Sequence, residues 1–407
     1  MDILPILSTL RRHKITAFLV ILEIALTCAI VCNAVFIISQ RLDRMAMPSG
    51  VDEHRLLHAM LANIGATSDG KARTQEDLAA LRQIPGVAEV ASVNQVPFGG
   101  SSWNTGIKLD PKQHTSTLNA TTYYGENLVR TLGAQLVAGR DLLPDEYMDF
   151  DDVVRAAAAK DNRMTPHVVV ITQKLAERLW PGQSALGKQI YLSDDPVNVV
   201  GVVKELVRPS IWDDATASYS MVLPIRVSQG EYLLRTASPQ DRERVLAAAL
   251  DKLKQINPHR VVLKKHIFDD MRHNYFQDDR AMAGLLAGVC VALLVVTALG
   301  IVGLGSFWVA QRRKQIGVRR ALGATRRNIL HYFQTENFLL ATIGIALGML
   351  LAYGINLLLM AHYELPRLPA SYFPVGALLL WLIGQLAVLG PALRAAAVPP
   401  VVATRSV

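Results

Sequence analysis

QRRKQIGVRRALGATRRNILHYFQTE, residues 311–336, decides how the rest of the chain is laid out. It stands between two long apolar segments and carries the densest positive charge in the sequence: Arg312, Arg313, Lys314, Arg319, Arg320, Arg326 and Arg327. Ile316, Val318, Leu322 and Ile329 are set among these cations, so a helix here offers apolar contacts between charges, which suits a membrane surface or a protein groove. Gly323 interrupts the stretch and Thr325 can cap a second helix after it, which predicts two helices meeting at an angle. A cytoplasmic loop also collects Lys and Arg simply to fix topology, and that reading needs no partner.

With 407 residues, 51% of them hydrophobic, and a mean hydropathy of +0.25, the chain is too apolar for an average soluble protein and too charged to lie wholly in a bilayer. Membrane spans joined to a soluble domain resolve that conflict. The formal net charge of +8 would admit a nucleic acid, but the excess lies beside apolar segments, where it orients a membrane protein. No nucleic-acid partner is therefore expected. Cys28, Cys32 and Cys290 all fall in apolar stretches, which leaves the polar middle without a disulfide framework or a cysteine zinc site. Cys28 and Cys32 share a helical face and read as small packing residues.

These patterns predict a membrane α-helical protein with four transmembrane helices and an α+β periplasmic domain into which a second subdomain is inserted. Residues 1–14 include Arg11, Arg12 and Lys14, which place that end in the cytoplasm. Residues 15–39 are apolar over roughly 36 Å of helix, longer than the core of a signal peptide and with no small-x-small site closing them, so they predict an uncleaved anchor. Residues 40–279 are globular in character and belong on the opposite side, the periplasm of a Gram-negative cell. Spans at 280–310, 337–361 and 372–393 then flank the cytoplasmic segment 311–336 and a short periplasmic loop, 362–371, and the chain ends in the cytoplasm with 394–407. The loop at 362–371 has Arg367 alone against the basic cluster of 311–336, the asymmetry that a multi-pass inner-membrane protein of this orientation requires.

Within 40–279, residues 74–84 read as an N-capped helix, Pro85-Gly86 as a turn and 87–96 as a strand. Ser238-Pro239-Gln240-Asp241 resembles a capping box ahead of an apolar stripe formed by Val245, Leu246, Ala249, Leu250, Leu253 and Ile256, and a strand at 261–264 comes next. The strand-rich middle, HVVVITQKLAERLWPGQSALGKQIYL then VNVVGVVKELV, lies between these two helix–strand units, which is why one subdomain is expected inside the other.

Several motifs invite a chemical reading. Gly182-Gln183-Ser184-Ala185-Leu186-Gly187-Lys188 matches most of a phosphate-binding loop, but Gln189 stands where Mg²⁺ needs Ser or Thr, and the helix precedes the loop instead of coming after it. His54 and His58 are four apart and lack a third ligand, so they read as exposed helix residues. Asp145, Glu146, Asp149, Asp151 and Asp152 read as a solvated loop, without the order of a calcium site. No catalytic, metal or cofactor site is expected. Glu23 lies inside the first span, where an ionised carboxylate is costly; it is either a proton or substrate contact or, like Thr27 and Asn33, polar glue between helices. Gly284 and Gly288, Gly300 and Gly303, and Gly344 and Gly348 permit close helix packing, either within one chain or between two.

The wording RRKQIGVRRALGATRRNIL, with Glu336 shortly after it, resembles the signature of the FtsX/MacB-like permeases of ABC transporters. Gly139-Arg140-Asp141, Leu175-Ala176, Pro181-Gly182, Leu186-Gly187-Lys188 and Val200-Gly201-Val202-Val203 resemble the periplasmic domain of MacB-like members, and Arg394-Ala395-Ala396 before Pro399 resembles the family's closing motif. The resemblance implies a non-catalytic permease that dimerises with itself or a related permease. It also implies a separate cytoplasmic ATPase subunit, which holds the ATP and Mg, docked around Ile316, Arg319, Arg320, Leu322, Gly323, Ala324 and Glu336. It further implies mechanotransmission to the periplasmic domain, with stiff helices such as 269–310 carrying the displacement. Tripartite efflux of a peptide, antibiotic or other amphiphile through a periplasmic adaptor and an outer-membrane channel leads. Lipoprotein release, activation of cell-wall hydrolases by force, and a sensor without an ATPase are the alternatives.

Overall fold

A computed structural model of the chain describes residues 14–63, 69–159, 165–192, 195–363 and 367–399. Arg11, Arg12 and Pro400 lie outside them. The chain divides into two units, one formed by Met1–Met45 with Asp278–Val407 and the other by Ala46–Gln277.

The first helix, α1, runs Lys14–Met45. The polar unit then runs β1 (Leu56–Asn63), α2 (Gly70–Arg82), β2 (Val87–Ser92), β3 (Asn104–Ile107), β4 (Leu118–Tyr124), α3 (Leu128–Leu132), β5 (Leu136–Gly139), β6 (Met148–Asp149) and α4 (Phe150–Ala158). It continues with β7 (Val168–Thr172), α5 (Gln173–Leu179), β8 (Gln189–Tyr191), β9 (Pro196–Val203), β10 (Ser220–Leu223), β11 (Ile225–Arg226), β12 (Glu231–Thr236), α6 (Arg242–Ile256), β13 (Arg260–Ile267) and α7 (Phe268–Tyr275).

The outermost strands of this unit pair with each other, in the antiparallel order β13-β1-β12-β2. Between β2 and β12 the chain inserts a second sheet in the order β3-β4-β10-β7-β9-β5, with β8 on β9, and a two-stranded β11-β6 sheet, while α3 packs back on β2 and β12. This is the inserted architecture expected from the sequence. In the first sheet Leu57, Ala59 and Leu61 alternate along β1 and meet Val245, Ala249 and Leu253 of α6 in one core, a strand of period two against a helix of period 3.6. In the second, β7 pairs with β9 in parallel; β7 is a continuous Val and Ile run buried from Val169 onward, as a strand covered on both faces is, whereas β9 is Val-rich and alternates in burial over its first half.

Local details differ from the sequence reading. Helix α2 begins at Gly70, because Asp69 caps it by accepting the Ala72 N–H at 3.3 Å; Thr74 is a buried residue inside the helix. Ser238 makes no cap bond to the backbone but donates its hydroxyl to Gln240, and α6 starts only at Arg242. His54 lies in a single 3₁₀ turn and His58 on β1, where it is buried; they share no helical face. The acidic stretch is ordered through ion pairs, Glu146 with Arg140, Asp149 with Lys71 and Asp152 with Arg155. The bond from Arg140 holds the Glu146 carboxyl below its ordinary range. Finally, 269–310 is not one rod: α7 ends at Tyr275 and its cap, Phe276, bonds its N–H back to Arg272 O at 3.2 Å.

The membrane unit resumes with α8 (Gln277–Gln311), α9 (Arg313–Ala321), α10 (Arg326–Tyr363) and α11 (Tyr372–Ala396). Together with α1, the three long ones make four helices long and apolar enough to cross a membrane. Helix α10 starts at Arg326, so the second half of the basic stretch forms the first turns of a spanning helix. Backbones approach closely where α10 crosses α1: a methyl group at Gly348 would sit 2.5 Å from Cys28 Cβ and 2.7 Å from Ala25 O.

Candidate functional site

The basic stretch folds as a short helix lying between the ends of two spanning helices. Helix α8 breaks at Arg312 (φ −97°, ψ 9°) and α9 begins at the next residue. Nine residues later the helix closes through paired bonds from Gly323 N to Arg320 O (3.2 Å) and from Ala324 N to Arg319 O (3.0 Å). That is a Schellman end, and Gly323 supplies the positive φ (+98°) it requires. Thr325 Oγ1 then accepts the Asn328 N–H at 3.2 Å and starts α10.

The inner side of α9 is anchored. Ile316 packs in a core with Ile329, Phe333, Ala392, Ala395, Ala396 and Val398, and Ala324 lies against it. Two of the seven cations brace the same helix: the Arg319 guanidinium lies 4.9 Å from the Tyr332 ring centre, and Arg320 donates to Ala396 O at 3.1 Å, a cation placed at the carbonyl end of α11. The outer side is bare. Leu322 is 83% exposed and Val318 44% exposed, so the tip presents apolar surface held in place from beneath.

Below this tip lies a buried ion pair. Arg312 Nη1 donates to both oxygens of Glu336, at 3.0 and 2.9 Å, and the two side chains are only 6% and 1% exposed. The Arg312 guanidinium also stacks 5.5 Å from the Trp308 ring. Its Nε and Nη2, together with Trp308 Nε1 and Asn337 Nδ2, are buried with no hydrogen-bond partner among the described residues. The sequence reading placed Glu336 among the ATPase-docking residues and expected it to pair with the Arg cluster without singling out Arg312; the structure buries Glu336 against Arg312, away from the exposed tip, and the reading passed over Trp308 and Asn337. Trp308 and Arg312 are spaced i, i+4 at the end of an apolar helix, and that spacing is the signal that pairs them.

The remaining candidates separate. Gly344 and Gly348 pack against Ile21, Ile24, Ala25 and Cys28 of α1, whereas Gly284, Gly288 and Gly303 meet nothing within 4 Å. Glu23 lies over Gly300, where an added methyl would come within 2.5 Å of its carboxylate. One turn further along, the Thr27 and Thr297 hydroxyls bond at 2.8 Å. Asn33 donates to Ala29 O and Ala352 O, which is the interhelical glue expected of it. The loop of Gly182 to Lys188 leads into β8 and ties its own lysine to Gln183 at 2.9 Å, so it opens no helix toward a phosphate. Among the described residues no cluster of three or more His, Cys, Asp or Glu could hold a metal ion.

Residues 18–252 match the family described as MacB-like periplasmic core domain, and residues 287–400 match the FtsX-like permease C-terminal family. The uncharacterized ABC transporter permease YvrN of Bacillus subtilis is 28% identical over 64% of this chain and 68% of its own. YknZ, a second uncharacterized permease of that organism, is 23% identical over 82% of this chain and 79% of its own. The macrolide export ATP-binding/permease protein MacB of Shewanella sp. (strain ANA-3) is 27% identical over 69% of this chain, a match that covers 40% of that longer protein. Among solved structures, the periplasmic region of MacB from Actinobacillus actinomycetemcomitans is similar at 16% identity, over 58% of this chain and 97% of that one, with a TM-score of 0.34. The extracellular domain of YknZ is similar at 16% identity over 51% of this chain and all of that one, with a TM-score of 0.32. The chain belongs to the ABC transporter permeases of the FtsX/MacB type, with a MacB-like periplasmic core domain between its first and second membrane helices and an FtsX-like C-terminal permease region.

Proposed function

We propose that α9 is the docking element for an ABC ATPase subunit and that this permease turns ATP hydrolysis by that partner into movement of its periplasmic core domain. The carrying observation is the form of the α9 tip: an exposed Leu322 and Val318 on a helix closed by Gly323 and fastened underneath through Ile316, Arg319 and Arg320. A fixed apolar knob on a rigid base transmits a push, whereas a mobile loop would absorb it. The orientation has both termini and α9 in the cytoplasm and residues 46–277 in the periplasm, supported by the basic residues of 311–336. ATP and Mg belong to the ATPase partner.

The cargo reading is export of an amphiphile, working with a periplasmic adaptor and an outer-membrane channel. Its support is the similarity to proteins named as macrolide exporters. Release of lipoproteins and force signalling to a cell-wall hydrolase use the same docking element and differ in what the moving domain touches. Co-purification from membranes tests the docking first. Leu322→Asp is expected to weaken ATPase association about 100-fold, the loss of one buried anchor, while membrane insertion is unchanged; association within about threefold of wild type overturns the assignment of the tip. Gly323→Pro, which removes the N–H that closes the helix, is expected to give the same phenotype. Stimulation of ATP turnover by added macrolide or amphipathic peptide then separates export from force signalling.

A further inference from the structure

We infer that Arg312 and Glu336 form a two-state latch that passes displacement of α9 to α10, the third spanning helix; this rests on the reading of α9 as the docking element. The pair stands where such a part has to stand. Arg312 is the residue at which α8 gives way to α9, and Glu336 belongs to α10, so the bond joins the root of the docking helix to a helix that crosses the membrane.

Stability does not account for the arrangement. Two charges taken out of water are repaid only when their remaining hydrogen-bonding groups are also satisfied, and apolar residues of similar size often serve better. Of the guanidinium nitrogens, Nη1 alone bonds Glu336, at 2.9 and 3.0 Å. Among the described residues Nε and Nη2 are buried without a hydrogen-bond partner, as are the neighbouring donors on Trp308 and Asn337. A bidentate fork using two nitrogens would be stronger and uses the same residues. The observed geometry is therefore a state with bonding capacity in reserve, and buried polar groups left short are where a second arrangement is accessible.

Space for that second arrangement adjoins each partner of the pair. A cavity of about 20 Å³ is lined by Trp308, Phe333, Glu336 and Asn337, and one of about 30 Å³ by Arg312, Gln315, Ile316 and Arg319. Each has room for about one water molecule. Rotation of α9 that swings the guanidinium toward either cavity exchanges the single-nitrogen contact for new donors on Glu336 or for hydration. Glu336 then moves with its new partner, and α10 moves with Glu336. Arg312 and Glu336 are positioning residues in this scheme, since neither touches the ATPase.

The test uses the full-length permease in lipid nanodiscs with its cognate ABC ATPase, reading association, permease-dependent change in ATP turnover, and melting temperature. Arg312→Met/Glu336→Leu is expected to bind the ATPase within about threefold of wild type and to melt roughly 2–8 °C higher. It is also expected to lose at least about tenfold of the permease-dependent change in turnover. A gain in stability with a loss of coupling is a result that a purely structural pair cannot give. Coupling at the wild-type level in this variant overturns the latch, and so does a fall in melting temperature accompanied by loss of binding. If the double variant does not accumulate, Glu336→Gln carries the test: retained association with lost coupling supports the latch, and retained coupling overturns it. Leu322→Asp distinguishes failure of the docking element from failure of the latch. Normal association in that variant removes the docking reading and the latch with it, whereas lost association there, together with intact coupling in the double variant, removes the latch alone.

Discussion

Two buried arginine–carboxylate pairs in this protein use the same chemistry to opposite ends. In the periplasmic core domain Asp77 accepts from Arg260 Nη1 at 2.8 Å and from the Tyr232 hydroxyl at 2.5 Å, while Arg260 Nε donates to Asn63 at 3.2 Å. Burial, and after it the Asp77 charge, pushes the Tyr232 phenol far above its ordinary pKa, so it remains a donor at any working pH. In the membrane unit Arg312 and Glu336 are as deeply buried, yet two guanidinium nitrogens find no hydrogen-bond partner among the described residues. A pair tied in by further hydrogen bonds holds a fold rigid, and one with buried donors left over leaves an alternative within reach. The glycines repeat the contrast in apolar form: Gly344 and Gly348 are pressed against α1, while Gly284 and Gly288 face open space.

The most damaging way to test that contrast is to cut the satisfied pair. Asp77→Ala leaves the Arg260 charge buried and Tyr232 without its acceptor, and should cost about 3–5 kcal/mol, read from thermal or denaturant melting of the full chain in detergent. A cost below about 1 kcal/mol would put this pair in the same class as a surface bridge and dissolve the comparison.

A smaller effect is expected at the glycines. Gly348→Ala forces a methyl against Cys28 and the Ala25 carbonyl and should destabilise by about 1–3 kcal/mol, whereas Gly284→Ala should change stability by less than about 0.5 kcal/mol. Equal effects at the two positions, measured by the same melts, would mean that the open face of α8 is occupied in the membrane.

Mild acid is the gentlest probe. His266 stands opposite His58 across β1 and β13, with ring centres 6.3 Å apart, and His58 bonds to Glu231 at 2.8 Å. Burial first, then His58 and Lys264, lower the pKa of His266, with Asp270 opposing them. A lowered folded-state value means that the unfolded chain takes up the proton more readily. The contribution to stability is thus complete above the unfolded value of about 6.5 and falls away as pH drops through the folded one. Amide exchange along residues 56–63 and 260–267, corrected for intrinsic rates, should accelerate in that window and not in His266→Gln; identical pH profiles for the two proteins would remove His266 as the cause.

Much of the architecture was legible because it depends on patterns that survive without a fold. Apolar length marked the four spans, and the two helix–strand units at the ends of residues 40–279 announced an insertion. Helix ends were less legible, since the choice between Asp69 and Thr74 as a cap turns on which backbone amides the fold leaves unpaired. His58 was misread for a related reason. Its neighbours in sequence fit a helix, but pairing with β12 and β13 makes a strand and buries the ring. The Lys71–Asp149 and Arg140–Glu146 pairs were likewise illegible, the first because its partners are far apart in sequence and the second because it is hidden in a local charge run.

At the coupling site the division is sharper. Residue types and order in 311–336 were enough to determine a basic, amphipathic, glycine-broken element between two spans, because helix stops, caps and charge bias act over a few residues. Only the tertiary structure decided which cations are which. Arg319 and Arg320 are braces and Arg312 is the buried partner of Glu336. Seven like charges within one stretch are interchangeable by composition; what separates them is the distance to Tyr332, to the end of α11 and to a carboxylate on α10, and those distances exist only once the helices have packed.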